Sequence, residues 1–164
     1  RLDRATSGVM ICARNLATAS YLSRQFAERK VKKVYLALVS SLPRHQAARI
    51  NLPIRRSRQA PAIFVVDGSG KVAITDYTVQ KEYPDGRVFL ELRPLTGRTH
   101  QLRVHLAYLG CPIVGDAVYG HAHYGDRLML HAYQLEISIP GQDGAKRRIF
   151  TAPLPVDFQE AIGD

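Results

Sequence analysis

The chain has 164 residues, 46% hydrophobic and 23% charged, enough for one globular domain with its own core and unlike a low-complexity or fibrous protein. Its 23 Lys and Arg against 14 Asp and Glu leave a net charge of +9, a balance that favours a polyanionic partner such as nucleic acid. Cys12 and Cys111 are the only cysteines and offer neither a disulfide framework nor metal-ligand spacing, while no apolar run reaches transmembrane length, so a protein of the reducing cytoplasm with no membrane contact is expected.

In chain order, Val9 to Ala13 is a short apolar run that reads as a buried strand. Asn15 is placed to cap a helix from Leu16 to about Arg29, with Ala19, Leu22 and Phe26 on one face. Basic Lys30 to Lys33 leads into a strand over Val34 to Val39. Ser40 to Ala47 contains Pro43 and reads as a loop, and Arg49 to Ile54 as a strand running into Arg55-Arg56-Ser57-Arg58. Pro61 and Asp67 to Gly70 bracket a short strand at Ile63 to Val66. Val72 to Tyr83 and Arg87 to Arg93 flank Pro84-Asp85-Gly86, a hairpin signal. In the second of these strands Val88, Leu90 and Leu92 share one face, and Phe89, Glu91 and Arg93 the other.

Pro94 to Gly110 is the stretch on which the rest depends. Gly97 stands where a strand would turn, Thr99 is a natural N-cap, and Leu102, Leu106 and Leu109 form a helical stripe. Thr99, His100 and Arg103 then lie side by side near the helix N-terminus, where backbone N–H groups favour anions. The alternative is an amphipathic helix whose Arg and His face water. Beyond it come a Pro112 and Gly115-Asp116 turn, a Gly120 to Gly125 loop and a short apolar piece at Leu128 to His131. Gln134 to Ile139 and Arg148 to Thr151 read as a closing hairpin across Gly141 to Gly144. Strands outnumber helices and most can pair by hairpins, which predicts an α+β fold with a mixed, largely antiparallel sheet flanked by helices and loops.

Several tempting motifs fail. Gly68-Ser69-Gly70-Lys71 resembles the end of a phosphate-binding loop, but Val65 and Val72 occupy positions that need Gly and Ser or Thr, so it reads as a turn. His121 and His123 lack a third ligand at suggestive spacing, and no Gly-x-Ser-x-Gly elbow is present, so no metal site is expected. Asp3 is more informative. It lies between Arg1 and Arg4 ahead of a Thr6-Ser7-Gly8 turn, and nearby cations favour the ionised carboxylate that a nucleophile needs. A surface ion pair in a solvated loop is the alternative.

Taken together the motifs change that reading. Arg1-Leu2-Asp3-Arg4-Ala5-Thr6-Ser7-Gly8, Lys32-Lys33-Val34-Tyr35-Leu36-Ala37 and Gly97-Arg98-Thr99-His100-Gln101-Leu102-Arg103-Val104-His105 occur in order, followed by Gly110 to Asp116 and Leu130-His131-Ala132. This set resembles the RluA-type pseudouridine synthases, over nearly the whole chain from Arg1 to about Pro153. Phe26 to Tyr35 and the Leu52-Pro53 region lean toward the compact subtype that acts on both ribosomal and transfer RNA. The histidine that usually precedes Arg-Leu-Asp is absent, as is an N-terminal segment with an Asn-Lys-Pro type motif. The resemblance therefore implies a catalytic domain over residues 1–164 lacking its N-terminal segment, with no S4-like domain.

The resemblance implies isomerisation of a uridine in a ribosomal or transfer RNA stem-loop to pseudouridine, by a cytoplasmic monomer without metal or organic cofactor. By motif position Asp3 is the essential aspartate, and Tyr35 the tyrosine that stacks near the target base and takes part in proton transfer. Arg103 is the arginine paired with the catalytic carboxylate. Arg1 is implied to move when RNA binds and to help displace the nucleotide, with Arg4, Arg98, His100 and Gln101 near the RNA. A uridine must leave its stack before a side chain reaches it, so base flipping is expected. A planar fork on Arg103 would hold Asp3 ionised in two-point geometry. Whether Asp3 adds to the base, attacks the sugar or abstracts a sugar proton is left open. Arg55, Arg56, Arg58, Lys32 and Lys33 read as phosphate contacts, or else as a solvated basic surface. The competing class is a noncatalytic RNA-binding domain, which would need no carboxylate in an anion-binding groove.

Overall fold

The computed structural model describes residues 1–122 and 126–163. A two-residue strand, Ser7–Gly8 (β1), precedes the helix Leu16–Ala27 (α1). Strands Lys32–Val39 (β2), Ala47–Asn51 (β3), Ile54–Arg56 (β4), Phe64–Val66 (β5), Ile74–Glu82 (β6) and Val88–Pro94 (β7) follow. The helix Gln101–Tyr108 (α2), strands Leu130–Ile139 (β8) and Lys146–Thr151 (β9), and the helix Val156–Ile162 (α3) complete the order. One sheet runs β1-β8-β2-β7-β6-β3 with β9 also on β8, and β4 and β5 form a separate ribbon. Its pairings are antiparallel except β1 with β8, so the fold is α+β with a mixed, largely antiparallel sheet as expected.

Period-two alternation divides the core between the two faces of this sheet. Ala37, Val39, Leu90 and Leu92 pack with Leu102 and Leu106 of α2. On the other face Leu38 meets Phe158 and Ile162 of α3, with Phe89 against them. The hairpin at Pro84-Asp85-Gly86 joins β6 to β7. Asp67 accepts both the Ser69 N–H and its hydroxyl, so Gly68 to Gly70 is a turn.

Several elements of the fold depart from the expectation. Val9 to Ala13 is not a strand: β2 covers one edge of β8, and β9 takes the other edge from Gln134 on, so only Ser7 and Gly8 find room to pair. Leu128 to His131 and Gln134 to Ile139 are not separate; Leu130–Ile139 is one strand interrupted by a bulge. The run from Arg49 to Ile54 is two strands broken at Leu52-Pro53, where proline cannot donate to a ladder. In α1, capped as expected by Asn15 Oδ1 on the Thr18 N–H at 2.8 Å, the buried stripe passes through Leu22 and Gln25 and leaves Phe26 exposed. Gln25 can be buried because its amide exchanges two hydrogen bonds with the Ser138 backbone of β8. Last, α3 was not anticipated, since a seven-residue helix with two apolar anchors carries little periodic signal.

Candidate active site

Asp3 sits in a turn closed by the Thr6 N–H on its carbonyl at 2.9 Å, and the chain then enters β1 beside β8. Gly8 allows that entry: its φ is +120°, and a Cβ there would collide with the Ala132 backbone. Arg127 fastens the loop from outside. Its guanidinium donates to the Ala5 carbonyl at 3.2 Å, the Ser7 hydroxyl at 2.7 Å and Asp157 of α3 at 2.9 Å. Ser7 also hydrogen-bonds His131 Nδ1 at 2.7 Å, and His131 Nε2 reaches the Ala152 carbonyl at 3.1 Å. Burial holds that imidazole below its usual range, so the bridge is neutral.

Arg103 lies in the first turn of α2, and the fork expected on Asp3 is on Asp116 instead. Nε and Nη2 reach the two Asp116 oxygens at 2.8 and 2.9 Å, whereas only Nη1 faces Asp3, at 3.4 Å. Asp116 is 1% exposed and also accepts the N–H groups of Val118 and Tyr119. Burial opposes its ionisation, but Arg103 and these two donors outweigh burial and hold its carboxyl below the usual range. The Asp3 side chain remains 25% exposed. The buried carboxylate therefore fixes the arginine, and the arginine offers one loosely held donor to the accessible carboxylate.

Tyr35 enters from β2. Pairing with β8 steps from Val34–Gln134 to Tyr35–Ala132, leaving Tyr133 as the extra residue, a bulge of the kind that re-aims side chains at functional sites. Burial first, and the Asp3 charge second, push its phenol up to about 12, so it is neutral at physiological pH. Lys33, two residues earlier on the same face, donates to the Thr96 carbonyl at 2.9 Å, and burial brings its ammonium down to about 8. His100 precedes α2 with φ 55°, and its Nδ1 hydrogen-bonds Tyr119 Oη at 2.7 Å. The Tyr119 oxygen accepts the Phe64 N–H of β5, and its ring carries the Arg103 guanidinium at 5.1 Å. Tyr119 is thus a strut joining the β4–β5 ribbon to both ends of the site.

Arg1, Asp3, Lys33, Tyr35, Arg98, His100, Gln101 and Arg103 line one cavity of about 140 Å³. Four cations surround one accessible carboxylate there, a setting for an anionic ligand that presents one reactive group to Asp3. The RNA pseudouridylate synthase family profile matches residues 1–108, which include Asp3, Tyr35 and Arg103. This chain belongs to that family.

Relatives agree over greater length. Ribosomal large subunit pseudouridine synthase D of Borreliella burgdorferi is 41% identical over 157 residues, covering 93% of this chain and 48% of that protein. Dual-specificity RNA pseudouridine synthase RluA of Escherichia coli is 39% identical over 162 residues, covering 96% of this chain and 72% of that protein. A solved structure of human RNA Pseudouridylate Synthase Domain Containing 1 superposes with a TM-score of 0.80 at 35% identity, over 96% of this chain and 69% of that one. The chain thus spans about half the length of the first of these relatives and about 70% of the other two.

In this pseudouridylate synthase domain, Arg1, Lys33, Arg98 and His100, expected near the RNA, line the cavity, and other expected residues are committed elsewhere. Gln101 is 4% exposed and its amide is fully engaged by Thr96, Arg98, Ile74 and Thr75, so it serves the fold. Arg55 is held by Asp67 at 2.7 Å, and Lys32 by Glu136 at 3.4 Å. Arg56 stands over the Phe64 ring at 5.6 Å, Arg58 and Arg4 are exposed, and none of the three lines the cavity. Thr99 is not the N-cap; His100 takes that position without a side-chain bond, and the Thr99 hydroxyl faces Arg1 at 3.4 Å. Nor does α2 show one buried stripe: every residue from Gln101 to Leu106 is buried, with Leu109 exposed. His121 is exposed, and His123 lies outside the described residues.

Asp116, Tyr119 and Arg127 escaped the sequence reading. The resemblance takes in Gly110 to Asp116 but gives Asp116 no role. A lone acid after Gly115 was the available signal, and nothing local tied it to Arg103, 13 residues upstream. Among the described residues no helix is long and apolar enough to cross a membrane.

Proposed function

We propose that this domain isomerises a uridine in ribosomal or transfer RNA to pseudouridine, with Asp3 as the reacting carboxylate. One observation carries the reading: Asp3 is the single accessible carboxylate among the cavity's lining residues, beside Tyr35 and an arginine fixed from behind by Asp116. In the reaction the N1–C1′ bond breaks, the base turns, and a C5–C1′ bond forms while C5 loses a proton and N1 gains one. The reactant atoms of a stacked uridine are out of reach, so the nucleotide flips into the cavity. Tyr35 offers its ring to the base and, as a neutral phenol, holds a proton there. Arg1, Lys33 and Arg98 provide charge for the flanking phosphates.

The names of the relatives, one a ribosomal large subunit synthase and one dual-specific, support ribosomal or transfer RNA as substrate class. Two free cysteines suit the reducing cytoplasm, and the domain is taken to act there as a monomer. The test is release of tritium from 5-tritiated uridine in bulk transfer and ribosomal RNA, comparing the wild-type chain with Asp3→Asn. Release is expected from the wild type and none from the variant, whose RNA affinity should stay within about tenfold, or about 1.4 kcal/mol. Full turnover by Asp3→Asn would sink the assignment, and salt-sensitive RNA binding with no release by the wild type would favour a noncatalytic RNA-binding domain.

A further inference from the structure

Outside the cavity, a groove runs from its rim along the C-terminal end of α1. Phe26, Arg29, Lys33, Leu95 and Arg98 are among its lining residues, and Lys33, Gly97 and Arg98 belong to both groove and cavity. Phe26 also borders a second depression, shared with Arg1, Met10, Lys33 and Tyr35. No acidic residue lines either stretch. The nearby acids are already paired, Glu28 with Lys30 at 2.6 Å and Asp76 with Arg49 at 2.7 Å. Among the described residues no carboxylate pairs with Arg29, Lys33 or Arg98.

Two apolar side chains stand exposed among these cations, Phe26 at 41% and Leu95 at 37%. Arg29 itself is unusual. It follows the C-cap of α1 with φ 56°, a position where glycine is preferred because an L side chain is strained there. Its backbone needs no arginine, since the turn is closed by the Lys30 N–H on the Gln25 carbonyl at 2.9 Å. The only other non-glycine residue with positive φ among those described is His100, in the cavity. An arginine kept against local preference beside an exposed aromatic ring has the makings of a strand-binding surface, where cations meet phosphates and a ring stacks a base.

We infer that this groove holds the RNA strand flanking the target uridine, with Phe26 stacking an unpaired base and Arg29 contacting a backbone phosphate. The occupant follows from the unopposed positive charge and from continuity with the cavity, and the inference rests on the reading of that cavity as the site of RNA modification.

Arg29→Gly gives a test in which stability and binding move in opposite directions. Glycine fits the backbone, so Tm should rise by about 2–4 °C. Affinity for bulk transfer RNA should fall, and the slope of log affinity against log salt should flatten by about 0.7 to 0.9, one phosphate contact. Phe26→Ala should weaken binding of an oligouridylate about tenfold with little change in that slope. Wild-type binding with both variants unaltered in affinity and slope would overturn the groove alone. Loss of binding to a polyglutamate peptide, with RNA binding intact, would assign it to an acidic protein partner. A wild-type chain that binds neither RNA would overturn the reading of the cavity, and the groove with it.

Discussion

At the floor of the cleft Arg103 directs all three of its nitrogens at protein carboxylates, two at Asp116 and one at Asp3. At the rim, Lys33 has the Thr96 carbonyl, Arg98 the Val72 carbonyl, and neither meets a carboxylate among the described residues. Both regions hold cations, but the one at the floor is paired and fixed whereas those at the rim are left for a ligand. A reacting group must be held to within a fraction of an ångström, which favours a buried two-point pair; a phosphate contact must adapt to a flexible chain. The floor therefore should respond to substitution through stability and turnover together, and the rim through affinity and salt dependence.

The largest effect is expected at Asp116. Asp116→Ala leaves the Arg103 charge buried without its main partner, which should cost about 3–5 kcal/mol of stability and abolish tritium release. Arg103→Lys removes the fork and should impair turnover severely. Unchanged thermal unfolding in Asp116→Ala would break the contrast between floor and rim. An intermediate effect belongs to Arg127, which holds the Asp3 loop without touching the cavity. Arg127→Ala should lower kcat by about tenfold, roughly 1.4 kcal/mol in the barrier, at unchanged RNA affinity. Equal loss of affinity would mean that Arg127 contacts RNA instead.

The smallest effect concerns Lys33 and sharpens the comparison from the rim. Burial lowers its ammonium from 10.5 to about 8, so over that window the unfolded chain binds more protons. The folded state should gain stability as pH rises from about 8 toward 10.5, while RNA affinity falls with loss of the charge. In Lys33→Met both slopes should be shallower than in the wild type, as read by urea unfolding and RNA titration across that range. Persistence of the affinity slope would shift it to another group.

Legibility varied along the chain for definite reasons. Strands β6 and β7 were readable because they flank strong turn residues and β7 alternates along its length, and β2 because its apolar run is continuous. Val9 to Ala13 has strand composition, but whether it pairs depends on β9, which lies near the other end of the chain and already occupies the edge. The stripe through Leu102, Leu106 and Leu109 suggested a half-buried helix, yet Gln101, Arg103 and His105 are buried as well. Their polar groups find partners in Thr75, Leu52, Thr96 and Asp116, residues from other elements. Periodicity reports apolar burial and is blind to satisfied polar burial.

By itself the sequence determined the family, the α+β class and the excess of positive charge, and it singled out Asp3, Tyr35 and Arg103 as candidates, since all of these reside in local patterns and ordered motifs. Only the tertiary structure decided that the Arg103 fork belongs to Asp116, that Lys33 stands in the cavity while Lys32 is paired outside it, and that Phe26 is exposed beside Arg29. Each of these depends on which of several equivalent side chains comes within reach of a distant partner. Distance in space, which pairing of the sheet and packing of α2 establish, is the quantity that one-dimensional spacing does not contain.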